Sequence, residues 1–278
     1  MKYLTKVIVV AAVAASVALP AGYFAYTASV PAAPAPAEFV PSNVQYVMRA
    51  SLNNSSAYAF VSNGSASLVL EYTISAFDAR LSAAGNFSRG TGFKGNITPV
   101  RWGEYRGYTI YRLENTTFST DALLGSLANI TGLGTFFDFG ALNSSGSVYV
   151  SQVRPQIMAV GGTAGIQASV NAYLSGKNFA KQEKRLFSPS ADLSVYVNSS
   201  TTPFASATMN IFADSGYLNL TFSTTTSAQR FYSVAENYSS NVSSVATLSG
   251  SSVSIRFDAG LTGLGSYVYL LREIEAHL

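Results

Sequence analysis

The chain of 278 residues contains no cysteine, one histidine and few charged residues. The absence of cysteine excludes disulfide bonds, thiolate zinc sites, iron–sulfur clusters and cysteine nucleophiles. The only histidine, His277, is next to last, which excludes a multi-histidine metal site and argues against a catalytic triad. Exported animal domains of this size often carry disulfides, so their absence favours a microbial surface protein.

Charged residues make up 11% of the chain, against about 25% in ordinary soluble domains. The net charge of +3 comes mostly from Lys2 and Lys6, and from Glu38 onward 15 basic residues nearly balance 14 acidic ones. No basic face accompanies the high isoelectric point, so we expect no nucleic-acid partner.

Charge is also absent from residues 7–26, where Val, Ile, Ala and Leu dominate. A helix of that length spans about 30 Å, the thickness of a bilayer's hydrocarbon core. Lys2 and Lys6 precede the run and the next basic residue is Arg49, which places residues 1–6 in the cytoplasm and the rest outside. We therefore expect a single-pass cell-membrane protein with an extracellular C-terminal domain.

A cleaved secretory signal is the alternative reading of the same run. Residues 7–19 have a usual length for the apolar part of a signal peptide, and Pro20-Ala21-Gly22 could mark its cleavage region. A small-x-small cleavage site is poorly formed there, because Leu19 precedes Pro20. Both readings export the remainder of the chain.

Asparagine occurs mostly within glycosylation sequons. Twelve of the 16 asparagines precede x-Ser/Thr, whereas the 60 Ser and Thr residues predict about 3.5 by chance. This excess predicts N-linked glycans on an exposed ectodomain, and with the missing cysteines it resembles the composition of an archaeal cell-surface protein. A turn-rich chain, in which Asn and Ser cluster, is the alternative. The candidates are Asn53, Asn54, Asn63, Asn86, Asn96, Asn115, Asn129, Asn143, Asn198, Asn219, Asn237 and Asn241.

The hydrophobic pattern predicts an α+β fold of antiparallel sheets with packed helices behind the N-terminal transmembrane helix. Residues 27–40 read as a Pro/Ala-rich linker, extended over 31–37. Alternation predicts half-buried strands at 67–77 and 217–223, and a strand over 105–114 with Gly107 as a bulge. Helices are predicted at 121–130, 163–174, 227–242 and 261–278.

A weak internal repeat suggests two related lobes, at residues 41–150 and 151–278. Pro41-Ser42 and Pro189-Ser190 each precede a predicted strand. Residues 64–70 resemble 216–222, and residues 131–136 resemble 262–267, in the same order. Chance is the competing explanation, since Gly and Ser are common in the chain.

One stretch carries a resemblance to known proteins. Residues 157–166, the helix that follows them, Gly176-Lys177, a proline turn and residues 193–197 resemble a family of exported α+β domains of unknown function. Those domains also follow a single N-terminal apolar segment. The resemblance covers about 50 residues and implies no activity.

No catalytic, cofactor-binding or metal-ligating residue can be assigned from the sequence. The glycines at 161–165 resemble a phosphate-binding turn but lack the full G-x-G-x-x-G pattern, and a plain strand-to-helix turn fits them better. A paired-acid site is conceivable among the scattered carboxylates, though no spacing enforces it; these are Glu104, Glu114, Asp121 and Asp138. Phe136, Phe137 and Phe139 form either an aromatic binding loop or part of the core. Lys177, Lys181, Lys184 and Arg185 read as a solvated face.

The sequence thus favours a membrane-anchored, N-glycosylated surface protein with an interaction or envelope-structural role. Its expected partners are the membrane, through residues 7–26, its N-linked glycans, and a surface protein or polysaccharide. Three alternatives stay open: a pilin-like filament subunit, an exported hydrolase, and an exported solute- or glycan-binding protein with a cleft lined by Trp102 or tyrosines. The balance is against an enzyme.

Overall fold

The computed structural model describes residues 35–52, 55–71, 98–114, 147–154, 156–198, 203–260 and 263–277. Within these ranges the protein is α+β, with twelve strands in one sheet and four α-helices. The helices are α1 (Thr163–Ser175), α2 (Ala180–Leu186), α3 (Thr225–Ser239) and α4 (Leu264–His277). The strands are β1 (Tyr46–Leu52), β2 (Ser55–Ser62), β3 (Ser65–Glu71), β4 (Thr98–Tyr105), β5 (Tyr108–Glu114), β6 (Val148–Arg154), β7 (Ile157–Gly161), β8 (Leu193–Asn198), β9 (Ser206–Ile211), β10 (Gly216–Thr221), β11 (Ser244–Ser249) and β12 (Ser252–Phe257).

The sheet order is β11-β12-β10-β9-β8-β1-β2-β3-β7-β6-β5-β4, and every neighbouring pair is antiparallel. Reading outward from the central β1–β8 pair, both directions begin with a three-strand meander, β1-β2-β3 or β8-β9-β10. Each meander is followed by a hairpin in reversed order, β7-β6 or β12-β11. We call β1–β7 the first half of the sheet and β8–β12 the second half.

Two of the three repeated motifs lie at equivalent places in these halves. Pro41-Ser42 precedes β1 and Pro189-Ser190 precedes β8, while residues 64–70 cover β3 and residues 216–222 cover β10. The third pair includes residues 131–136, which lie outside the described ranges. The expected division between residues 150 and 151 falls inside β6.

Short turns with left-handed residues connect two of the hairpins. Asn63 and Gly64 have φ of 51° and 70°, and Arg106 and Gly107 have φ of 50° and 85°. Two consecutive positive φ values match the right-handed twist of the flanking strands. Gly107 is therefore a turn residue, and the expectation of a bulge there is wrong. The bulge lies at Trp102, between Arg101 and Gly103.

Helices cover opposite faces in the two halves of the sheet. On the face that we call the α1 face, α1 and α2 pack over buried residues such as Val47, Phe60 and Val69. On the opposite α3 face, α3 and α4 bring Phe231 and Leu270 onto β10 and β12. The predicted alternation of β10 is confirmed, since Leu218 and Leu220 are buried while Asn219 and Thr221 are exposed.

Strand β3 differs from the expected half-buried strand, because it is buried on both faces. Ser67, expected to face solvent, is fully buried under the start of α1. A Cβ added to Gly165 would lie 1.7 Å from the Ser67 Oγ, so the helix backbone approaches the strand as closely as glycine permits. The small side chain of Ser67 marks a packing contact rather than a wet surface.

The folded part begins inside the expected linker. Residues Pro36–Phe39 form a 3₁₀ turn in which Pro36, Ala37 and Phe39 are buried. The Phe39 ring stacks on Tyr173 of α1 with 4.5 Å between ring centres, so this end of the expected linker packs against α1. No helix among the described residues is long and apolar enough to cross a bilayer, and residues 7–26 lie outside those ranges.

Candidate functional site

All five sequon asparagines within the described ranges are exposed. They occupy a turn, a strand end, the middle of β10, the outer side of α3 and the 3₁₀ turn that follows it: Asn63, Asn198, Asn219, Asn237 and Asn241. The other seven lie outside the described ranges: Asn53, Asn54, Asn86, Asn96, Asn115, Asn129 and Asn143. Asn63 occupies the left-handed position of the β2–β3 turn, and Asn237 lies on the exposed side of α3.

The four asparagines that lie outside sequons behave differently. Asn210 is buried, Asn171 and Asn178 are half-buried, and Asn43 alone is exposed. Their side chains bond within the protein: the Asn210 amide donates to the Leu186 carbonyl at 3.0 Å, and the Asn171 oxygen accepts from Tyr105 at 3.1 Å. Exposure therefore separates sequon asparagines from most of the others.

Asn219 shows how a sequon is presented on this sheet. It faces Ser254 of β12 in register, and its Oδ1 accepts a hydrogen bond from the Ser254 hydroxyl at 2.7 Å. That bond orients the amide group, whose nitrogen is the atom that carries an N-linked glycan. The surrounding surface of β10 and β12 is exposed and polar, with Thr221 and Arg256 beside it.

A second exposed feature lies at the opposite end of the sheet, across β4, β5 and β6. Arg112 of β5 faces Tyr149 of β6 in register, on the α1 face. Trp102 is the extra residue of the β4 bulge, and its ring reaches over β5 to within 5.3 Å of the Tyr149 ring, at 70°. We call Trp102, Arg112 and Tyr149 the aromatic row.

The tryptophan of this row is 51% exposed. A buried Trp removes roughly 200 Å² from water, so about 100 Å² stays wet here, and about 2.5 kcal/mol of available burial energy is not gained. Bulges often serve to re-aim a side chain at a strand edge. The bulge and the exposure together leave the Trp102 ring accessible at the surface.

The charge of the aromatic row is balanced locally. Arg112 donates to the Glu114 carboxylate at 2.5 Å, and this hydrogen bond raises the pKa of the guanidinium. Arg101 pairs with Glu104 at 3.5 Å at the bulge. The carboxylates of Glu104 and Glu114 are thus each paired with an arginine. Asp121 and Asp138 lie outside the described ranges.

Contacts with α1 hold this end of the sheet in place. The Tyr105 hydroxyl donates to Asn171 of α1 at 3.1 Å. Arg154 of β6 donates to the Tyr173 hydroxyl and lies 4.8 Å from the centre of that ring. The β4–β5 hairpin, which carries Trp102, is therefore held by contacts with α1 as well as by its pairing with β6.

A buried polar network lies at the centre of the sheet, where its halves meet. Arg49 of β1 is 7% exposed and donates to Glu183 of α2 at 3.1 Å. It also donates to the Ser188 carbonyl at 2.5 Å and to the Ser194 hydroxyl at 3.3 Å. Tyr58 of β2 donates to the same Glu183 oxygen at 2.5 Å.

Asn210 of β9 extends this network to the connection between the halves. Its Oδ1 accepts from the Ser194 hydroxyl at 2.8 Å and from the Ser188 amide at 2.9 Å. Burial, followed by the Glu183 charge, raises the pKa of Tyr58 far above the ordinary tyrosine value. Since Tyr58 and Arg49 are buried, we interpret the network as the attachment of α2 to both halves.

The other residues that the sequence singles out have structural roles or exposed positions. Gly162 is the N-cap of α1 and Gly165 packs on Ser67, so the glycine turn serves strand-to-helix packing. His277 ends α4. The basic residues at 177, 181, 184 and 185 are exposed, as expected. Among the described residues, no group of three or more His, Cys, Asp or Glu could hold a metal ion. Phe136, Phe137 and Phe139 lie outside the described ranges.

Comparison with known proteins leaves the family open. No protein-family model and no curated protein matches the chain. Two solved structures of TP0453, crystal forms III and I, are similar to it at TM-scores of 0.48 and 0.47, with 12% and 11% identity. Each covers 86% of this chain, and 99% and 98% of its own. A likeness this distant assigns neither family nor function.

Proposed function

We propose that the protein is a single-pass, membrane-anchored and N-glycosylated cell-surface protein with an interaction or envelope-structural role. Residues 7–26 would form the anchor, and the α+β domain, built of two related lobes, would stand outside the cell. Membership of the family of exported, N-terminally anchored α+β domains belongs to the same proposal. Its partners would be the membrane, the N-linked glycans and a surface protein or polysaccharide.

The observation that carries this proposal is the exposure of the sequon asparagines. A glycan can be attached only to an amide nitrogen that faces solvent, and all five described sequons meet that requirement. Of the four other asparagines, Asn210 is buried and Asn171 and Asn178 are half-buried. This contrast is expected of a surface shaped by glycosylation, whereas Asn and Ser that only cluster in turns need not divide in this way.

Two further observations support the wider proposal. The matching strand order around the β1–β8 pair, with two repeated motifs at equivalent places, supports the two related lobes. The open surface of β10, β11 and β12 carries Ser, Thr and Asn, the exposed Tyr217 and Val245, and few charges. Its low charge suits a neutral glycosylated exterior.

The anchoring part is tested on native membranes. After alkaline extraction the full chain should stay in the pellet, and mass spectrometry should find peptides from residues 7–26. Protease added to intact cells should digest residues after 40 and leave residues 1–6 protected. A mature N-terminus near Gly22 or Tyr23, with the protein in the medium, would overturn the anchor.

A second candidate function is that of an exported binding protein, and the aromatic row favours it. The expected location for Trp102 was a cleft between lobes, whereas it lies on an outer strand of the sheet. No observation on the described residues favours a filament subunit or a hydrolase.

A further inference from the structure

We propose that the aromatic row, Trp102, Arg112 and Tyr149, is a binding site for a neutral polysaccharide of the cell envelope. The inference rests on the exported location proposed above and adds a ligand class and a site to it. Trp102 and Arg112 are exposed and Tyr149 is half-buried, so a long polymer can contact the row at one end of the sheet without entering a cavity.

The first argument concerns the shape and polarity of the ligand. A pyranose ring has an apolar face of C–H groups and a rim of hydroxyls, which both donate and accept hydrogen bonds. Half of the Trp102 side chain is free to pack against such a face, beside the edge-on Tyr149 ring. The Arg112 and Glu114 pair supplies donors and an acceptor next to it.

The second argument concerns charge. Arg112 is neutralised by Glu114 in a direct hydrogen bond, and Arg101 by Glu104. A site for an acidic polymer would leave its guanidinium groups available for carboxylate or sulfate. The two paired arginines therefore match an uncharged hexose polymer rather than a polyanion. The third arginine of the hairpin, Arg106, lies in the turn beside the Tyr105 ring.

The third argument concerns the source of the sugar. Asn219 lies on β10, nine strand positions from β4 in the sheet order, which is about 43 Å at 4.8 Å per strand. Asn198, Asn237 and Asn241 also belong to the second half. The row is therefore remote along the sheet from these four sequons, and we assign the ligand to an envelope polysaccharide rather than to glycans at those positions. Asn96 and Asn115, which adjoin β4 and β5 in the sequence, lie outside the described ranges.

The site contains its own reporter, because Trp102 is the only tryptophan in the chain. We would purify the full chain in a zwitterionic detergent without sugar head groups and follow its tryptophan emission. The probes are maltohexaose, cellohexaose and chitohexaose, with hexagalacturonate as the acidic comparison. A saturable blue shift with at least one neutral hexaose, larger than with hexagalacturonate, is expected.

Variants connect that response to the row. Because Trp102→Ala removes the reporter, binding of all variants is measured by calorimetry with the same hexaose. Trp102→Ala and Arg112→Gln should each weaken binding about tenfold or more. Tyr217→Ala is the matched control, since Tyr217 is a 42% exposed aromatic that packs edge-on against Phe212 at the other end of the sheet. Its binding should not change.

Three results would overturn the assignment: no saturable response to any neutral hexaose, tighter binding of hexagalacturonate, or equal losses in Tyr217→Ala and Trp102→Ala. Circular dichroism of each variant checks that folding is retained, and Trp102→Phe, which keeps an apolar ring, should bind between wild type and Trp102→Ala. The titration depends on neither anchor nor glycan occupancy, so its failure is distinguishable from failure of the proposed function.

Discussion

Arg49 is the residue on which the centre of the molecule depends. It lies on β1, yet its partners are Glu183, Ser188 and Ser194, more than 130 residues later in the chain. It also lies 5.5 Å from the centre of the Phe187 ring. A buried guanidinium with several acceptors fixes one geometry, because any shift would leave a charge without a partner.

Removal of this guanidinium should be costly. Arg49→Met leaves the Glu183 carboxylate without its cation, and we expect a loss of about 3–5 kcal/mol in the free energy of unfolding. Arg256→Met, which breaks an exposed pair with Asp258, should cost about 1 kcal/mol or less. Denaturant unfolding followed by circular dichroism compares the two, and equal small losses would refute the role given to Arg49.

Tyr58 should make the protein sensitive to alkali. Its pKa is raised by burial and by Glu183, so the folded chain keeps the proton that the unfolded chain releases near pH 10. Stability from this group is therefore complete below pH 10 and falls above it, by up to about 1.4 kcal/mol per pH unit. In Tyr58→Phe the decline between pH 10 and 11.5 should be shallower by that amount.

Tyr217→Phe, at an exposed position, is the control for this measurement. Burial raises the pKa of Tyr267 as well, but Tyr267 is present in both variants, so the difference in slope isolates Tyr58. Identical slopes in wild type and Tyr58→Phe would contradict the account.

At the scale of elements, strongly periodic segments were predictable from sequence. The helix at 163–174 is α1, and Gly176 follows it with φ of 66°, as a helix-ending glycine should. Strand β10, predicted at 217–223, and helix α3, predicted at 227–242, are also confirmed. In each of these elements the buried apolar side chains lie on one face, so the hydrophobic periodicity of the sequence is enough to predict the element.

Two elements could not be read in this way. Strand β11 turns Val245 outward at 59% exposure while Ala246 and Leu248 pack against the core, so its apolar residues do not share one face. Helix α2 has seven residues, most of them charged or polar, and its place depends on Glu183 and on Phe179 and Phe187 at its ends. The positions of both elements therefore depend on tertiary contacts, which the local sequence pattern does not show.

The same limit applies to the candidate sites. Sequons are local motifs, and their spacing in the chain is enough to find them. The aromatic row combines three strands, with Tyr149 37 positions after Arg112, and nothing in the local pattern brings them together. The bulge at Trp102 was missed because the glycine of the next turn, Gly107, was the more visible signal.

The contact between α1 and β3 gives a prediction at this scale. Gly165→Ala would place a methyl group 1.7 Å from the Ser67 Oγ, and we expect a loss of about 1–3 kcal/mol in stability. Gly265→Ala, in α4 with open space at the same position, should stabilise by about 0.5–1 kcal/mol. Thermal melts compare the variants.

Ser67→Ala combined with Gly165→Ala should recover part of that loss, because the Oγ is the nearest obstacle and the next atom is 3.0 Å away. Stabilisation by Gly165→Ala alone would show that helix and strand are not in the close contact described.

At the scale of the whole molecule, the two halves share the buried cluster on the α3 face. A single buried cluster contains Tyr46 and Met48 from β1, Val195 from β8 and Phe257 from β12. The β1–β8 ladder joins the halves through five residue pairs, and the Arg49 network crosses the same boundary. Halves that share a buried cluster should not unfold separately.

We therefore expect one cooperative unfolding transition for the full chain. Calorimetry should give one peak with matching calorimetric and van't Hoff enthalpies, and fluorescence of Trp102 in the first half should report the same midpoint as circular dichroism. Two resolved transitions, one seen by Trp102 and one not, would show that the halves are independent domains.

The central claim is that this surface is glycosylated and faces the cell exterior, and intact-glycopeptide mass spectrometry of the native protein tests it most directly. Asn219 and Asn237 are the decisive positions, because strand alternation and helix phase both turn them to solvent. We predict that both carry glycan, and that enzymatic removal of glycans lowers the apparent mass in steps. Peptides in which Asn219 and Asn237 are unmodified throughout would contradict the account.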